Sequence, residues 1–75
     1  MFDVAIKNGT CGYHNPDHLD YVLTQIPSTN IPNKGDYIYI GDGQRYQITE
    51  VNRTYQMITE NNEFSEWIRV YVIIV

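Results

Sequence analysis

His14, Asp17 and His18 lie within five residues of one another, and their side chains are of the types that bind metals. Imidazole and carboxylate groups are preferred ligands of zinc and related transition metals. Two histidines four positions apart share one face only in a helix, and Pro16 disfavours a helix because proline fits only a first turn. A polar loop is therefore the favoured interpretation. A metal-dependent enzyme using these three residues is the least favoured hypothesis, and no cofactor is expected.

Cys11 is the only cysteine of the chain, which rules out an internal disulfide bond and every zinc site built on several cysteines. His14 follows three residues later and has the chemistry of a base for a thiol nucleophile. The sequence predicts no helix N terminus here to activate that thiol. No pair of carboxylates is spaced for acid and base catalysis. We therefore expect a protein that is not an enzyme.

Seven tyrosines and one tryptophan are the remaining candidates for function. Aromatic side chains are enriched at protein interfaces because they supply large, stiff contact area with a polar tip. Tyr37 and Tyr39 alternate with isoleucines, so on a strand they form a row opposite the core. Such a row suits a protein partner or stacking on single-stranded bases, although cross-strand packing alone also explains it. The candidate partner-binding residues are Tyr13, Tyr37, Tyr39, Tyr55 and Trp67.

The charge of the chain restricts its partners. Five lysines and arginines are scattered among nine aspartates and glutamates, for a formal net charge of −4. Nucleic-acid binding needs clustered cations and is disfavoured, whereas an acidic surface suits a basic protein partner. No apolar run approaches the roughly 18 residues that span a bilayer, and the first residues lack a secretory signal. We expect no membrane contact and a cytoplasmic location.

The first half of the chain shows two strand patterns separated by a long loop. Alternation over residues 2–7 predicts β1, and two glycines and an asparagine then begin an irregular loop over residues 8–18. Residues 18–26 fit either a strand or a short helix that Asp17 would cap. The strand is favoured because Pro27 requires an extended residue before it.

The second half predicts a β-hairpin and a terminal strand. Asp42-Gly43 is the signal of a two-residue type I′ turn between strands. Val51 is out of phase with Tyr46 and Ile48, which predicts a bulge near Thr49 or Glu50. A further turn is expected over residues 59–63. The terminal run, residues 67–75, is apolar on both faces, which predicts burial on two sides or homo-oligomerisation through this C-terminal strand.

Residues 32–51, PNKGDYIYIGDGQRYQITEV, and the closing IRVYVIIV resemble small SH3-like β-barrel proteins of phage or mobile-element type. The resemblance implies an all-β fold, a small five- to six-stranded SH3-like barrel with a long first loop, as one domain over residues 1–75. A helix at residues 18–26 would make the fold α+β instead. The resemblance also implies a noncatalytic protein-binding or assembly module, either a virion assembly piece or an acidic inhibitor of a host protein. The chain would then act in the host cytoplasm or the virion.

Overall fold

The computed structural model describes residues 1–58, 60 and 63–75 and contains five strands. They are β1 (Phe2–Ile6), β2 (Tyr21–Ile26), β3 (Tyr37–Tyr39), β4 (Arg45–Ile58) and β5 (Glu63–Ile74). The all-β prediction is confirmed. The described residues form no helix, so the α+β alternative at residues 18–26 is wrong, and none could span a membrane as a helix.

The strands form one sheet in the order β2-β1-β5-β4-β3, curled into a half-barrel. Neighbouring strands are antiparallel except β1 and β5, which run parallel. The C-terminal strand is therefore the central strand of the sheet rather than an edge. Its apolar run is buried at Val70, Tyr71 and Val72 within the chain itself. The apolar pattern from which homo-oligomerisation through this strand was predicted is thus largely explained by the chain's own core.

The core lies on the inner, concave face of the half-barrel. Alternate residues of a strand point to opposite faces, so the apolar positions of β1, β4 and β5 converge on this side. Each fully buried aliphatic side chain contributes about 1.5–3 kcal/mol to stability. Isoleucines of the hairpin, Ile38 and Ile40, are half-buried against this cluster. The buried cluster consists of Phe2, Val4, Ile6, Tyr46, Ile48, Val70 and Val72.

A β-bulge at Thr49 sets the direction of the second half of β4. Ile48 pairs with Val72 and Glu50 pairs with Tyr71, so Thr49 is the extra residue. Its hydroxyl donates to the Tyr71 carbonyl at 3.2 Å. Because the bulge shifts the alternation by one, the following valine returns to the inner face. The predicted bulge is confirmed.

The predicted two-residue turn at Asp42-Gly43 is wrong. A type I′ turn needs positive φ at both central residues, but positive φ occurs at Gly41 (91°) and Gly43 (79°) and not at Asp42. The loop spans residues 40–44. The Asp42 carboxylate stabilises it by accepting bonds from the Gln44 N–H at 3.0 Å and the Tyr46 hydroxyl at 2.6 Å.

Other strand limits differ from the sequence prediction by smaller amounts. β1 ends at Ile6, one residue early, and β5 begins at Glu63, ahead of the predicted start at Trp67. The turn predicted over residues 59–63 falls mostly outside the described residues. β4 continues through residues 53–58, as the sequence indicated.

β4 and β5 extend beyond the rest of the sheet as a two-stranded arm, here defined as residues 52–58 and 63–68. The strands pair with each other as far as Ile58 and Glu63, whereas β1 contacts β5 only over residues 69–71. The radius of gyration is 13.8 Å, against about 11 Å for a compact chain of this length. The arm contributes to this elongation, and most of its described side chains are exposed.

Candidate protein-interaction site

Tyr37 and Tyr39 lie on β3, the edge strand, and point away from the core. Their side chains are 55% and 67% exposed, while Ile38 between them is half-buried on the inner face. The Arg45 guanidinium lies 4.6 Å from the centre of the Tyr37 ring, a cation–π contact that holds this ring against β4. The two tyrosines therefore form an exposed aromatic pair on the outer face.

The backbone of this pair faces an open sheet edge. The Ile48 N–H donates to the Asp36 carbonyl at 2.8 Å, and hydrogen-bonded pairs recur at every second residue of an antiparallel ladder. The next such pair is Ile38 with Tyr46, which lie opposite each other. The N–H and C=O groups of Tyr37 and Tyr39 consequently point away from β4, and no described strand pairs with them.

The loop beside this edge is fixed by one buried tyrosine. Tyr46 is 4% exposed, and its hydroxyl donates to Asp42. The hydrogen bond to the carboxylate, aided by burial, raises the pKa of Tyr46 to about 12. The same bond is the main cause that lowers the pKa of Asp42 from its usual value. The pair stabilises loop 40–44 directly after Tyr39 and so helps to position the edge.

Tyr13 has a different environment from the other predicted residues. It is half-buried, packs against the core cluster and contacts the Tyr21 ring in a tilted arrangement with 5.2 Å between ring centres. Its hydroxyl accepts a bond from the Asn15 amide at 3.2 Å. These contacts give Tyr13 a structural role, as the apolar anchor of the long first loop.

Asp20 attaches the other end of that loop to the sheet. Its carboxylate accepts bonds from the Asn8 N–H at 2.9 Å and from the Tyr71 hydroxyl at 2.8 Å. The Asn8 bond is the largest cause that lowers the pKa of Asp20, and the Tyr71 bond and the nearby Arg69 act in the same direction. The loop is thus held at both ends by specific contacts.

The metal candidates are exposed and do not converge. His14, Asp17 and His18 all lie at the surface of the loop. The Asp17 N–H donates to the Asn15 side chain at 2.8 Å, which is a turn contact. In the described part of the chain, no three histidine, cysteine or acidic side chains come close enough to hold a metal ion.

Tyr55 and Trp67 lie on opposite faces of the arm. Trp67 is paired with Thr54, whereas Tyr55 is paired with Glu66, so alternation separates the two aromatic rings. Trp67 borders a shallow groove of about 260 Å³ on the outer face, beside Asn52 and Arg69. The five predicted residues therefore divide into an edge pair, a loop anchor and two arm positions, and they do not form one site.

The sequence reasoning did not single out Met57 and Phe64. They are paired across the arm and are 54% and 67% exposed. The alternation of apolar residues could have identified them. Beyond the bulge, Met57 continues the inner-face alternation that begins at Val51, although the surrounding stretch is polar. Large apolar residues exposed together in this way are typical of interaction surfaces.

Comparison with known proteins adds no relative. No protein-family model matches the chain, and neither a curated protein nor a solved structure is detectably similar to it. The functional interpretation therefore depends on the geometry of the described residues.

Proposed function

We propose that this chain is a noncatalytic protein-binding or assembly module whose β3 edge receives an extended segment of a partner protein. The observation that carries the proposal is the coincidence of two exposed tyrosines, Tyr37 and Tyr39, with a strand edge that none of the described strands pairs with. An added strand obtains affinity from main-chain hydrogen bonds and specificity from side-chain contacts. The open edge supplies the main-chain hydrogen bonds, and the aromatic pair supplies the side-chain contacts.

The size and charge of this edge define the partner. β3 has only three residues, so main-chain bonds alone give little affinity and the tyrosine rings must contribute contact area. The net charge of −4 favours a partner segment that carries lysine or arginine. By the resemblance to phage and mobile-element proteins, such a partner would be another virion component or a host protein.

Single-stranded nucleic acid is the alternative ligand for the same tyrosines. Stacking requires open ring faces and a groove of positive charge along the backbone of the strand. One face of the Tyr37 ring is covered by Arg45, so this ring offers a single face for stacking. The acidic chain also repels phosphate. These features favour the protein partner.

The test compares side-chain and backbone variants at one position. A partner captured from host lysate with the intact chain is identified, and its dissociation constant is measured for Tyr39→Ser and Tyr39→Pro. Proline removes an outward N–H and is tolerated on a strand edge. We expect a weakening of about tenfold for serine and more for proline, because proline also removes a main-chain bond.

The control is Trp67→Ser, which alters another exposed aromatic residue, far from β3. Unchanged affinity of a Tyr37→Ser, Tyr39→Ser double variant for the captured partner would contradict the proposed site. Tyrosine-dependent binding of labelled single strands at low salt would instead support the nucleic-acid alternative, because attraction to phosphates is strongest there.

A further inference from the structure

The inner face of the sheet continues onto the arm, where its large described side chains are mostly exposed. Val70 is buried and Ile68 is half-buried against the core, and the same face then carries Tyr55, Met57 and Phe64. These three side chains are between 54% and 67% exposed. A row of large apolar groups that begins in a core and ends in solvent is suited to contact with another surface.

Two opposite charges lie between the base and the tip of this face. Arg53 is paired with Ile68, and Glu66 is paired with Tyr55, which places both charges on the inner side. The ion pairs of the described residues use neither side chain. A two-fold axis that places Arg53 of one copy beside Glu66 of the other also places Glu66 of the first copy beside Arg53 of the second, so this face can be complementary to a copy of itself.

A cavity lies at the base of the arm on the same face. It measures about 310 Å³, and both charged residues line it together with Met1, Thr29, Ile31 and Ile68. This volume accommodates a large side chain from a second molecule. When two arms lie antiparallel with inner faces together, the tip of one reaches the base of the other.

We infer that two copies of this chain associate through the inner faces of their arms, about a two-fold axis. Met57 and Phe64 of each copy contact the base cavity of the other, and Arg53 pairs with Glu66 of the second copy. This face carries one charge of each sign, so it favours a partner that also carries both signs over the basic partner proposed for β3. The inference is independent of the proposed function, because β3 pairs with the opposite end of β4.

The size of the contact indicates a dimer that dissociates on dilution. A fully buried aromatic side chain covers about 150–250 Å², so the partly exposed tip residues offer a few hundred Å² per copy. Stable complexes cover about 800 Å² per partner. The base cavity and the charge pairs add to the tip contact, and we expect dissociation in the micromolar range.

The test is a charge exchange in the intact chain, read by sedimentation equilibrium over a range of concentrations. Across the two-fold axis, Arg53→Glu alone brings two glutamates together at each of two symmetric positions. Glu66→Arg alone brings two arginines together in the same way. Each should raise the dimer dissociation constant about tenfold or more. The double variant R53E/E66R restores both pairs and should return the constant to near that of the parent chain.

Phe64→Ser should also weaken the dimer, whereas Trp67→Ser on the opposite face of the arm should leave it unchanged. Thermal unfolding of every variant distinguishes a lost contact from a lost fold. A strict monomer at millimolar concentration would overturn the inference. So would a double charge variant that dimerises no better than the single variants. Neither result bears on partner binding at β3, which is measured separately.

Discussion

At the scale of single residues, Asp20 has the clearest link between charge and stability. Its carboxylate joins the long first loop to Tyr71 of β5 and to the backbone of Asn8. These bonds lower its pKa below the usual 3.8. A group with a lowered pKa in the fold stabilises the protein above its unfolded pKa, and this contribution is lost as the pH falls through the folded pKa. Acid should therefore weaken the attachment of the loop below about pH 4.

Asp20→Asn tests this attachment. The amide oxygen can still accept a bond, so the loop should stay in place, but the charge-assisted part of the interaction is lost. We expect a destabilisation of about 1 kcal/mol at neutral pH and a smaller decline of stability in acid than the parent chain shows. Urea unfolding at a series of pH values measures both. Asp17→Asn, at an exposed position of the same loop, should reproduce the parent curve, and an unchanged acid decline in Asp20→Asn would contradict the assignment.

At the scale of the strand, the extra residue Thr49 determines which side chains of β4 reach the core. Deleting Thr49 should remove the bulge and move Val51 to the outer face, because the side-chain period of a strand is two residues. We expect loss of the cooperative fold, visible as collapsed amide dispersion in NMR spectra. Thr49→Ala keeps the bulge and loses only the bond to the Tyr71 carbonyl, for a cost of about 1 kcal/mol. A folded deletion variant would show that the bulge is dispensable.

The elements also show which features a sequence can reveal. The bulge is predictable because Val51 is out of phase with the alternation of Tyr46 and Ile48. This pattern is local, so the sequence alone contains it. The turn at Asp42-Gly43 was mispredicted because the aspartate bonds to the Tyr46 hydroxyl, a contact that a dipeptide signal does not contain. The parallel pairing of β1 with β5 joins opposite ends of the chain, and no local pattern specifies it.

The candidate surfaces also combine features that a local pattern predicts with features that depend on the whole sheet. Alternation with the core-facing Ile38 was enough to predict that Tyr37 and Tyr39 are presented on the outer face, where they are exposed. The open edge beside them depends on the strand order of the whole sheet. Phe64 and Met57 follow the same alternation as core residues do. They are exposed because they lie beyond Arg69, where β1 stops pairing with β5, and outside the core cluster.

At the scale of the whole molecule, most of the arm lies apart from the buried core cluster of the half-barrel. Its length gives the chain extents of 43 × 31 × 19 Å. The core cluster draws all its members from residues closer to the sheet centre than the arm. On the inner face of the arm, Tyr55, Met57 and Phe64 remain mostly in water, so they contribute little burial energy to the monomer.

Replacing residues 55–66 with Asn-Gly should therefore leave the half-barrel folded. Thr54 and Trp67 are directly paired, and a two-residue type I′ turn joins such a pair without changing the register. We expect the free energy of unfolding to change by no more than about 1 kcal/mol. The radius of gyration, measured by X-ray scattering, should fall from 13.8 Å towards the value of about 11 Å that a compact chain has.

A matched control replaces residues 41–43, in the loop beside β3, with three other residues. This exchange should break the hydrogen bond between Tyr46 and Asp42. We expect it to destabilise the chain, although it changes far fewer atoms than the shortened arm does. If the shortened arm unfolds the protein while this loop exchange does not, the arm is part of the folding unit. In that case its exposed inner face would be explained by stability. If instead the chain with the shortened arm stays folded and the loop exchange destabilises it, the inner face of the arm has no role in the monomer. Exposed phenylalanine and methionine side chains lower solubility without adding stability. A contact with a second molecule would then be the remaining physical reason for their position.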